Sequence, residues 1–221
     1  TRRSSDLRVD PERRTASTAP SGRPLHAVRL ALADRRIRRL ALSSLAGATS
    51  MSILVVLQVP VMVAGGIERG TAATLAGARG LAQLLGRLPL GWVLRRWSAR
   101  ASLRFAKFAV GVGALVLAVE VNIVTGLVFV VVAGASIGAV SPLEGIYARE
   151  VLPPGDLGTL MGALHLLLGI AAGLGPVLAG VIADVTGRTG SGLVLAALAG
   201  FAGAALLGPT RSADADENGS S

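Results

Sequence analysis

The chain contains little or none of the residues from which many enzymes and metal sites are built. Among 221 residues there is no cysteine, which excludes disulfides, thiolate nucleophiles and cysteine-ligated metals. The two histidines, His26 and His165, are too few for a histidine-built metal centre. Charged residues make up 16% of the chain, against about 25% in an average soluble domain. We therefore expect no metal, no cofactor and no catalytic residues.

Apolar and small residues are abundant instead. Hydrophobic residues account for 52% of the sequence, and 29 residues are glycine, which is roughly twice the usual share. Charge-poor chains rich in glycine, alanine and leucine are typical of packed membrane helices. The composition therefore predicts an all-α integral membrane protein with the lipid bilayer as its surroundings.

The net charge of +9 is concentrated at one end of the chain. Eleven of the arginines lie within residues 1–39, directly before the first long apolar run. Basic charge in that position sets membrane topology more often than it binds nucleic acid. We therefore expect no nucleic-acid partner.

Six apolar segments follow, each close to the roughly 20 residues that cross a bilayer. They cover residues 40–64, 72–94, 103–119, 122–146, 158–183 and 191–208. The predicted organisation is a basic cytoplasmic tail over 1–39, a six-helix bundle over 40–208 and a disordered cytoplasmic tail over 209–221. Within the first tail, residues 24–39 form a basic amphipathic stretch that would suit a helix on the membrane surface.

The charges of the loops indicate an orientation. If the amino-terminal tail is cytoplasmic, the inside segments contain eighteen basic residues and the outside loops only Arg69 and Arg188. Positive charge accumulates on the cytoplasmic side of membrane proteins. The sequence therefore predicts a multi-pass protein of the cell (inner or plasma) membrane with both termini in the cytoplasm.

The second and fifth segments are weakly similar, since each opens with Gly-Ala and ends in a run of spaced glycines around a proline. They are the middle members of two successive sets of three segments. Sets with an odd number of spans are inverted relative to each other in the membrane, as in many secondary transporters. We therefore expect two inverted three-helix repeats.

The segment that begins at Gly91 resembles the second-half copy of the loop signature of the major facilitator superfamily (MFS). Gly91, Arg96 and Arg100 match that signature, while Arg95 replaces its aspartate and Ser98 its second glycine. The resemblance implies the carboxy-terminal half of such a transporter, which works by alternating access on a small solute. It also implies a missing amino-terminal half of six helices as partner, and the start at Thr1 agrees with a piece of a longer protein.

The fifth segment resembles the Gly-Pro signature of the same family in Gly175, Pro176 and Gly180. We expect these residues to pack helices together. Further small-residue spacings also predict close helix approach; they are Gly111/Gly113, Gly134/Gly138 and Gly169/Gly173.

Four polar residues are candidates for binding the solute. Arg79, Gln83 and Arg87 are spaced to align on one face of the second helix. Two guanidiniums near the midplane would favour a small organic anion, because arginine pairs with carboxylates in a bidentate fork. The alternative for Arg87 is an ion pair with Glu144 or a helix end. Gln58 lies beside Pro60, which bends the first helix, and either faces the pathway or bonds another helix.

Glu144 and His165 are candidates for proton coupling or gating. A carboxylate near the inner end of the fourth helix could exchange protons, or could form a gate ion pair with Arg87 or Arg149. An imidazole titrates near neutral pH. The alternative for His165 is a hydrogen bond between helices.

Other functions fit parts of the sequence. A drug or amphiphile efflux carrier of the same superfamily, a non-transporting fragment or assembly partner, and a homodimeric six-helix carrier all remain open. An intramembrane serine protease would need the pair Ser141 and His165. Ser141 is followed by Pro142 rather than the glycine of such a nucleophile motif, and we therefore do not expect an enzyme.

Overall fold

The computed structural model describes residues 33–208, which form helices joined by short connections and contain no strand. Six helices of 16 residues or more occur in this part of the chain. They are α1 (Arg35–Ala64), α2 (Arg69–Leu85), α3 (Ala99–Val119), α4 (Ile123–Val151), α5 (Leu157–Thr186) and α6 (Ser191–Leu206). Every predicted apolar segment therefore contains a helix.

Four of these helices are long and apolar enough to cross a membrane, namely α1, α3, α4 and α5 with the turn before it. Helix α6 is apolar but has 16 residues, or ~24 Å, less than the roughly 30 Å of the hydrocarbon core. Helix α2 has 17 residues. The described chain is thus all-helical and consistent with a membrane fold.

The first helix begins earlier than predicted. Asp34 caps it by accepting a hydrogen bond from the Arg36 backbone N–H at 2.6 Å, and α1 then runs unbroken through Pro60 to Ala64. Residues 35–39 of the amphipathic stretch are thus the first turns of α1, not part of a separate surface helix. Residues 24–32 lie outside the described part of the chain, as do both terminal tails apart from residues 33–39.

The second predicted segment is divided in two, contrary to the expectation of one continuous span over 72–94. Helix α2 stops at Leu85, turns follow, and a single-turn helix forms at Leu90–Val93. Pro89 explains the break, because proline has no N–H to donate and disfavours helical backbone in the residue before it. Arg87 consequently lies beyond the end of α2.

The third helix also differs from its predicted bounds. It starts at Ala99, where the Ser98 hydroxyl accepts a hydrogen bond from the Ala101 N–H at 3.2 Å as an N-cap. Lys107, which the sequence analysis counted among the inside basic residues, therefore lies two turns into α3 and is 1% exposed.

The helices pack in a pattern that is nearly the same for both sets of three. Helix α3 packs against α4 and α6, and α6 packs in turn against α1. Helix α2 lies on α4 at one flank, and α5 lies on α1 at the other. If α1, α2 and α3 are matched in order to α4, α5 and α6, the contact of α3 with α4 corresponds to that of α6 with α1. The contact of α2 with α4 corresponds to that of α5 with α1, and the contact of α3 with α6 corresponds to itself.

Glycines let the backbones of α2 and α4 approach closely. A Cβ atom added to Gly138 would lie 2.0 Å from the Gln83 carbonyl oxygen, and one added to Gly86 would lie 2.1 Å from that of Ala135. Gly111 of α3 and Gly200 of α6 are in similarly tight contact. Side chains of any size are therefore excluded at these crossings, as expected for glycine-mediated packing of membrane helices.

Helix α5 is far less buried than the others. In its most apolar 18-residue stretch 11% of the residues are buried, against 44–50% in α1, α3 and α4. A Cβ atom at Gly169, Gly173 or Gly180 would meet no atom within 4 Å. The close packing predicted for these three glycines is thus not seen among the described residues.

Candidate transport site and buried ion pair

Arg79 is a buried cation without a partner in the described chain. It is 9% exposed, and its Nε and Nη1 atoms are inaccessible and make no hydrogen bond. Its backbone lies against α4, where a Cβ atom at Gly134 would be 3.1 Å from the Arg79 carbonyl oxygen. Buried guanidinium groups normally have hydrogen-bond partners. This side chain therefore has hydrogen-bonding capacity that the described residues do not use.

The other two members of the predicted arginine stripe are arranged differently. Gln83 is half-buried, whereas Arg87 is exposed and donates from Nε to the Gly138 carbonyl oxygen at 3.2 Å. Helix α2 ends at Leu85, so Arg87 lies in the turns that follow it and not in one continuous helix with Arg79. Arg87 thus bonds a carbonyl group of α4, and a stripe of two guanidiniums crossing the midplane stays a prediction.

Gln58 is 4% exposed within α1. Its Nε2 donates to the Val55 carbonyl oxygen of the same helix at 3.1 Å, while its Oε1 is buried and has no hydrogen-bond partner among the described residues. The interhelical hydrogen bond considered for it is therefore not formed. The free acceptor is a second polar atom available to a ligand or water.

Glu144 forms an ion pair that the sequence analysis did not foresee. Its Oε1 lies 2.7 Å from the Nζ of Lys107, in a pair that joins α4 to α3. Lys107 is 1% exposed and Glu144 is 18% exposed. The predicted partners Arg87 and Arg149 are wrong, because among the described residues Lys107 takes this position.

Ser43 extends the ion pair to two further helices. The Lys107 ammonium donates to the Ser43 carbonyl oxygen and to its Oγ, both at 2.9 Å. The Ser43 hydroxyl donates in turn to the Gly203 carbonyl oxygen at 2.7 Å. We call Ser43, Lys107, Glu144 and Gly203 the buried polar cluster; its members come from α1, α3, α4 and α6.

One signal in the sequence could have identified Lys107. It is the only lysine beside twenty-one arginines, and an uncharged apolar run over residues 108–119 follows it directly. Charged residues inside membrane helices usually face a partner or a cavity. The predicted third segment, 103–119, already contained Lys107, but the residue was counted as an inside-loop charge and was not considered as a partner for Glu144.

His165 lies on the exposed surface of α5. Its Nδ1 is 2.8 Å from the Met161 carbonyl oxygen, one turn earlier in the same helix. The hydrogen bond between helices predicted as its structural alternative is therefore wrong. Among residues 33–208, no group of three or more His, Asp or Glu side chains could hold a metal ion.

The residues of the loop signature lie where α2 and α3 are joined. The Arg96 guanidinium lies 4.5 Å from the centroid of the Trp92 ring, and Arg100 donates from Nη2 to the Gly208 carbonyl oxygen. Gly91 is exposed and has no atom near its Cβ position. This segment thus ties the end of α6 to the start of α3.

Of the Gly-Pro signature in α5, Gly175 is the buried member. A Cβ atom there would be 2.8 Å from Ser52 Oγ and 3.2 Å from the Thr49 carbonyl oxygen. Pro176 beside it is half-buried, and Gly180 is open. Gly175 is thus a point of close approach between α5 and α1.

Comparison with known proteins agrees with the family resemblance. The sequence model of the Major Facilitator Superfamily matches residues 40–221, most of the chain. No curated protein matches the sequence. With apolar helices long enough to span a membrane, the chain is a multi-pass membrane protein. It belongs to the Major Facilitator Superfamily of membrane transporters.

Proposed function

We propose that this chain forms one six-helix bundle of a secondary transporter that moves a small organic anion by alternating access. The bundle would correspond to the carboxy-terminal half, and a second bundle would complete the cavity. Such halves rock around a site near the midplane of the membrane.

The observation that carries the proposal is the buried, unpartnered guanidinium of Arg79. A charge inside a membrane helix costs on the order of 2.5–3.5 kcal/mol on insertion scales. A carboxylate ligand would offset that cost, because arginine binds carboxylates with two parallel hydrogen bonds. Arg79 is therefore our choice for the primary contact of the solute, with Gln58 and Gln83 as further candidates.

The symmetric packing supports an organisation in two inverted repeats. The contact of α2 with α4 corresponds to that of α5 with α1, and the contact of α3 with α4 corresponds to that of α6 with α1. In this scheme α2 and α5 are equivalent flanking helices. The exposed surface of α5 would then face either lipid or the second bundle.

The orientation proposed from loop charge is compatible with the helix bounds. Moving Lys107 into α3 removes one charge from the inside count, yet the exposed residues Arg95 and Arg96 still lie at the same end of the bundle as Arg149. The positive-inside rule therefore continues to favour cytoplasmic termini. The membrane concerned would be the cell membrane.

Transport assays on the native polypeptide, expressed from its own gene and reconstituted in liposomes, test the proposal. We expect uptake of labelled short-chain monocarboxylates, and we expect Arg79→Gln to lower it by about tenfold or more, the size of one lost charge-assisted hydrogen bond. Arg69→Gln is the matched control, because Arg69 is exposed at the start of the same helix.

Equal uptake by Arg79→Gln and the unmodified protein would contradict the role of Arg79. Transport of amphiphilic drugs but not of carboxylates would favour the efflux alternative. We also expect the 221-residue chain alone to move no solute above empty liposomes, because in this proposal a second bundle completes the cavity.

We further propose that Glu144 couples transport to protons through its pair with Lys107. Glu144 is partly accessible while Lys107 is not, so a proton could reach the carboxylate and release it from the ammonium. In the native polypeptide, Glu144→Gln should keep solute counterflow but lose accumulation driven by a pH gradient. Glu150→Gln, an exposed carboxylate near the end of α4, should keep both.

A further inference from the structure

A cavity of about 470 Å³ lies between the Leu90–Val93 turn, α3 and α4. This volume is within the range of roughly 300–1,000 Å³ that is usual for ligand sites. Its wall is mainly apolar and includes Trp92, Trp97, Phe105 and Leu143. The rings of Trp97 and Phe105 meet edge to face with their centroids 5.9 Å apart. The cavity is therefore suited to a hydrocarbon chain.

Two of its polar groups point to the nature of a ligand. Arg96 lines the cavity and is exposed, with its guanidinium over the Trp92 ring. Ser102 also lines it, is 4% exposed, and its Oγ has no hydrogen-bond partner among the described residues. Buried hydroxyl groups are normally hydrogen-bonded. The cavity thus offers one cation and one free hydroxyl donor beside an apolar wall.

The position of the cavity matches the interface of a membrane. Trp92 and Trp97 are each about half exposed, and tryptophans are enriched where headgroups meet hydrocarbon. The exposed residues Arg95 and Arg104 lie in the same loop and in the first turns of α3. Basic pockets between membrane helices recognise anionic headgroups. An amphiphile with an anionic head complements both the charge and the apolar wall.

We propose that this cavity binds one anionic phospholipid. The phosphate would contact Arg96, an ester carbonyl would accept a hydrogen bond from the Ser102 hydroxyl, and an acyl chain would lie against Trp97 and Phe105. The site is separate from Arg79 and from the buried polar cluster, and it does not depend on the transported solute.

The protein has its own probe for this site, because its two tryptophans are Trp92 and Trp97 and both line the cavity. The full chain is reconstituted in phosphatidylcholine vesicles with a minor fraction of brominated lipid, which quenches tryptophan fluorescence on contact. We expect brominated phosphatidylglycerol to quench about fivefold more effectively than the same fraction of brominated phosphatidylcholine.

Three substitutions test whether the preference for phosphatidylglycerol arises at the cavity. Arg96→Gln should reduce the ratio between the two lipids to near one. Ser102→Ala should weaken quenching by both lipids about threefold and leave their ratio unchanged, because both lipids carry the ester carbonyl. Arg149→Gln removes an exposed arginine from the end of α4, on the same side of the bundle, and should leave the ratio unchanged.

A ratio near one in the unmodified chain would overturn the proposal, as would an equal loss in Arg149→Gln, which would indicate general surface charge. Tryptophans shielded from both brominated lipids would show that protein covers the cavity, and would also overturn it. If Arg96→Gln does not fold, Ala139→Phe fills the cavity from α4 and should lower quenching by both lipids.

Discussion

The two buried cations of this bundle, Lys107 and Arg79, have opposite surroundings. Lys107 lies 2.7 Å from the Glu144 carboxylate and donates twice to Ser43. Arg79 is also buried, but two of its nitrogens have no partner in the described chain. A buried ion pair offsets its desolvation cost when geometry and further hydrogen bonds are good. Lys107 is therefore satisfied within the bundle, whereas Arg79 requires a group from elsewhere.

This difference separates a cation that the bundle itself satisfies from one that it does not. The buried polar cluster includes residues from α1, α3, α4 and α6, so its removal should loosen the bundle. Arg79 sits on the flanking helix α2 and has no polar contact to lose. Removing it should affect ligand binding far more than folding. The predictions below compare unfolding free energies of the full chain in lipid bicelles, from the largest expected effect to the smallest.

Glu144→Gln should produce the largest loss of stability, about 3–5 kcal/mol, because it leaves the Lys107 ammonium buried beside a neutral amide. The unfolding free energy in bicelles measures it. The double variant Lys107→Met/Glu144→Leu should recover most of the loss, since it removes both charges. A loss below about 1 kcal/mol for the single variant would mean that the pair contributes little.

Gly134→Ala should lower stability by about 1–3 kcal/mol, because the added Cβ would lie 2.8 Å from that of Ala82 and 3.1 Å from the Arg79 carbonyl oxygen. The same titration measures the change. Gly180→Ala is the matched control in α5, where the added atom meets nothing, and should be neutral or stabilising. Equal losses in the two variants would contradict the packing described at Arg79.

Ser43→Ala should cost about 1 kcal/mol, the usual net value of a hydrogen bond. It removes the acceptor at 2.9 Å from Lys107 and the donor to Gly203. The carbonyl oxygen of residue 43 would still accept from Lys107, which is why the loss should be smaller than for Glu144→Gln. A cost as large as that of Glu144→Gln would show that the hydroxyl is essential to the cluster.

Arg79→Leu should change the unfolding free energy least, by less than about 0.5 kcal/mol or in the stabilising direction, because no polar contact is lost. The same substitution should abolish anion uptake by the native polypeptide. Unchanged stability together with lost uptake would distinguish Arg79 most clearly from Lys107. A loss of several kcal/mol would mean that Arg79 has a structural partner and is equivalent to Lys107.

The sequence predicted the helices better than their ends. Six periodic apolar segments correspond to six helices, because apolar length is a local property. The ends depended on single residues such as Asp34, Pro89 and Ser98. Counting Lys107 as a loop charge had a functional consequence, since it led to the wrong partners for Glu144.

The candidate site was predictable in part. The sequence identified Arg79 as a candidate site residue, because a charge in a membrane helix is costly. That Arg87 lies in turns beyond the end of α2 was not predicted, because the end at Leu85 depends on residues such as Pro89. Likewise, spacing alone could not distinguish Gly138, which contacts the Gln83 backbone, from Gly180, which contacts nothing. Small-residue spacings recur on every face of a glycine-rich helix.

The amino-acid sequence by itself determined the membrane class, the helical segments and the superfamily, because these depend on hydropathy, charge distribution and short motifs along the chain. Tertiary structure alone decided which cation is paired and which glycines are contacts. It also brought Trp97, Ser102 and Ala139 from separate segments to one cavity. Such pairings join residues far apart in sequence, and they follow from how the helices cross rather than from any local pattern.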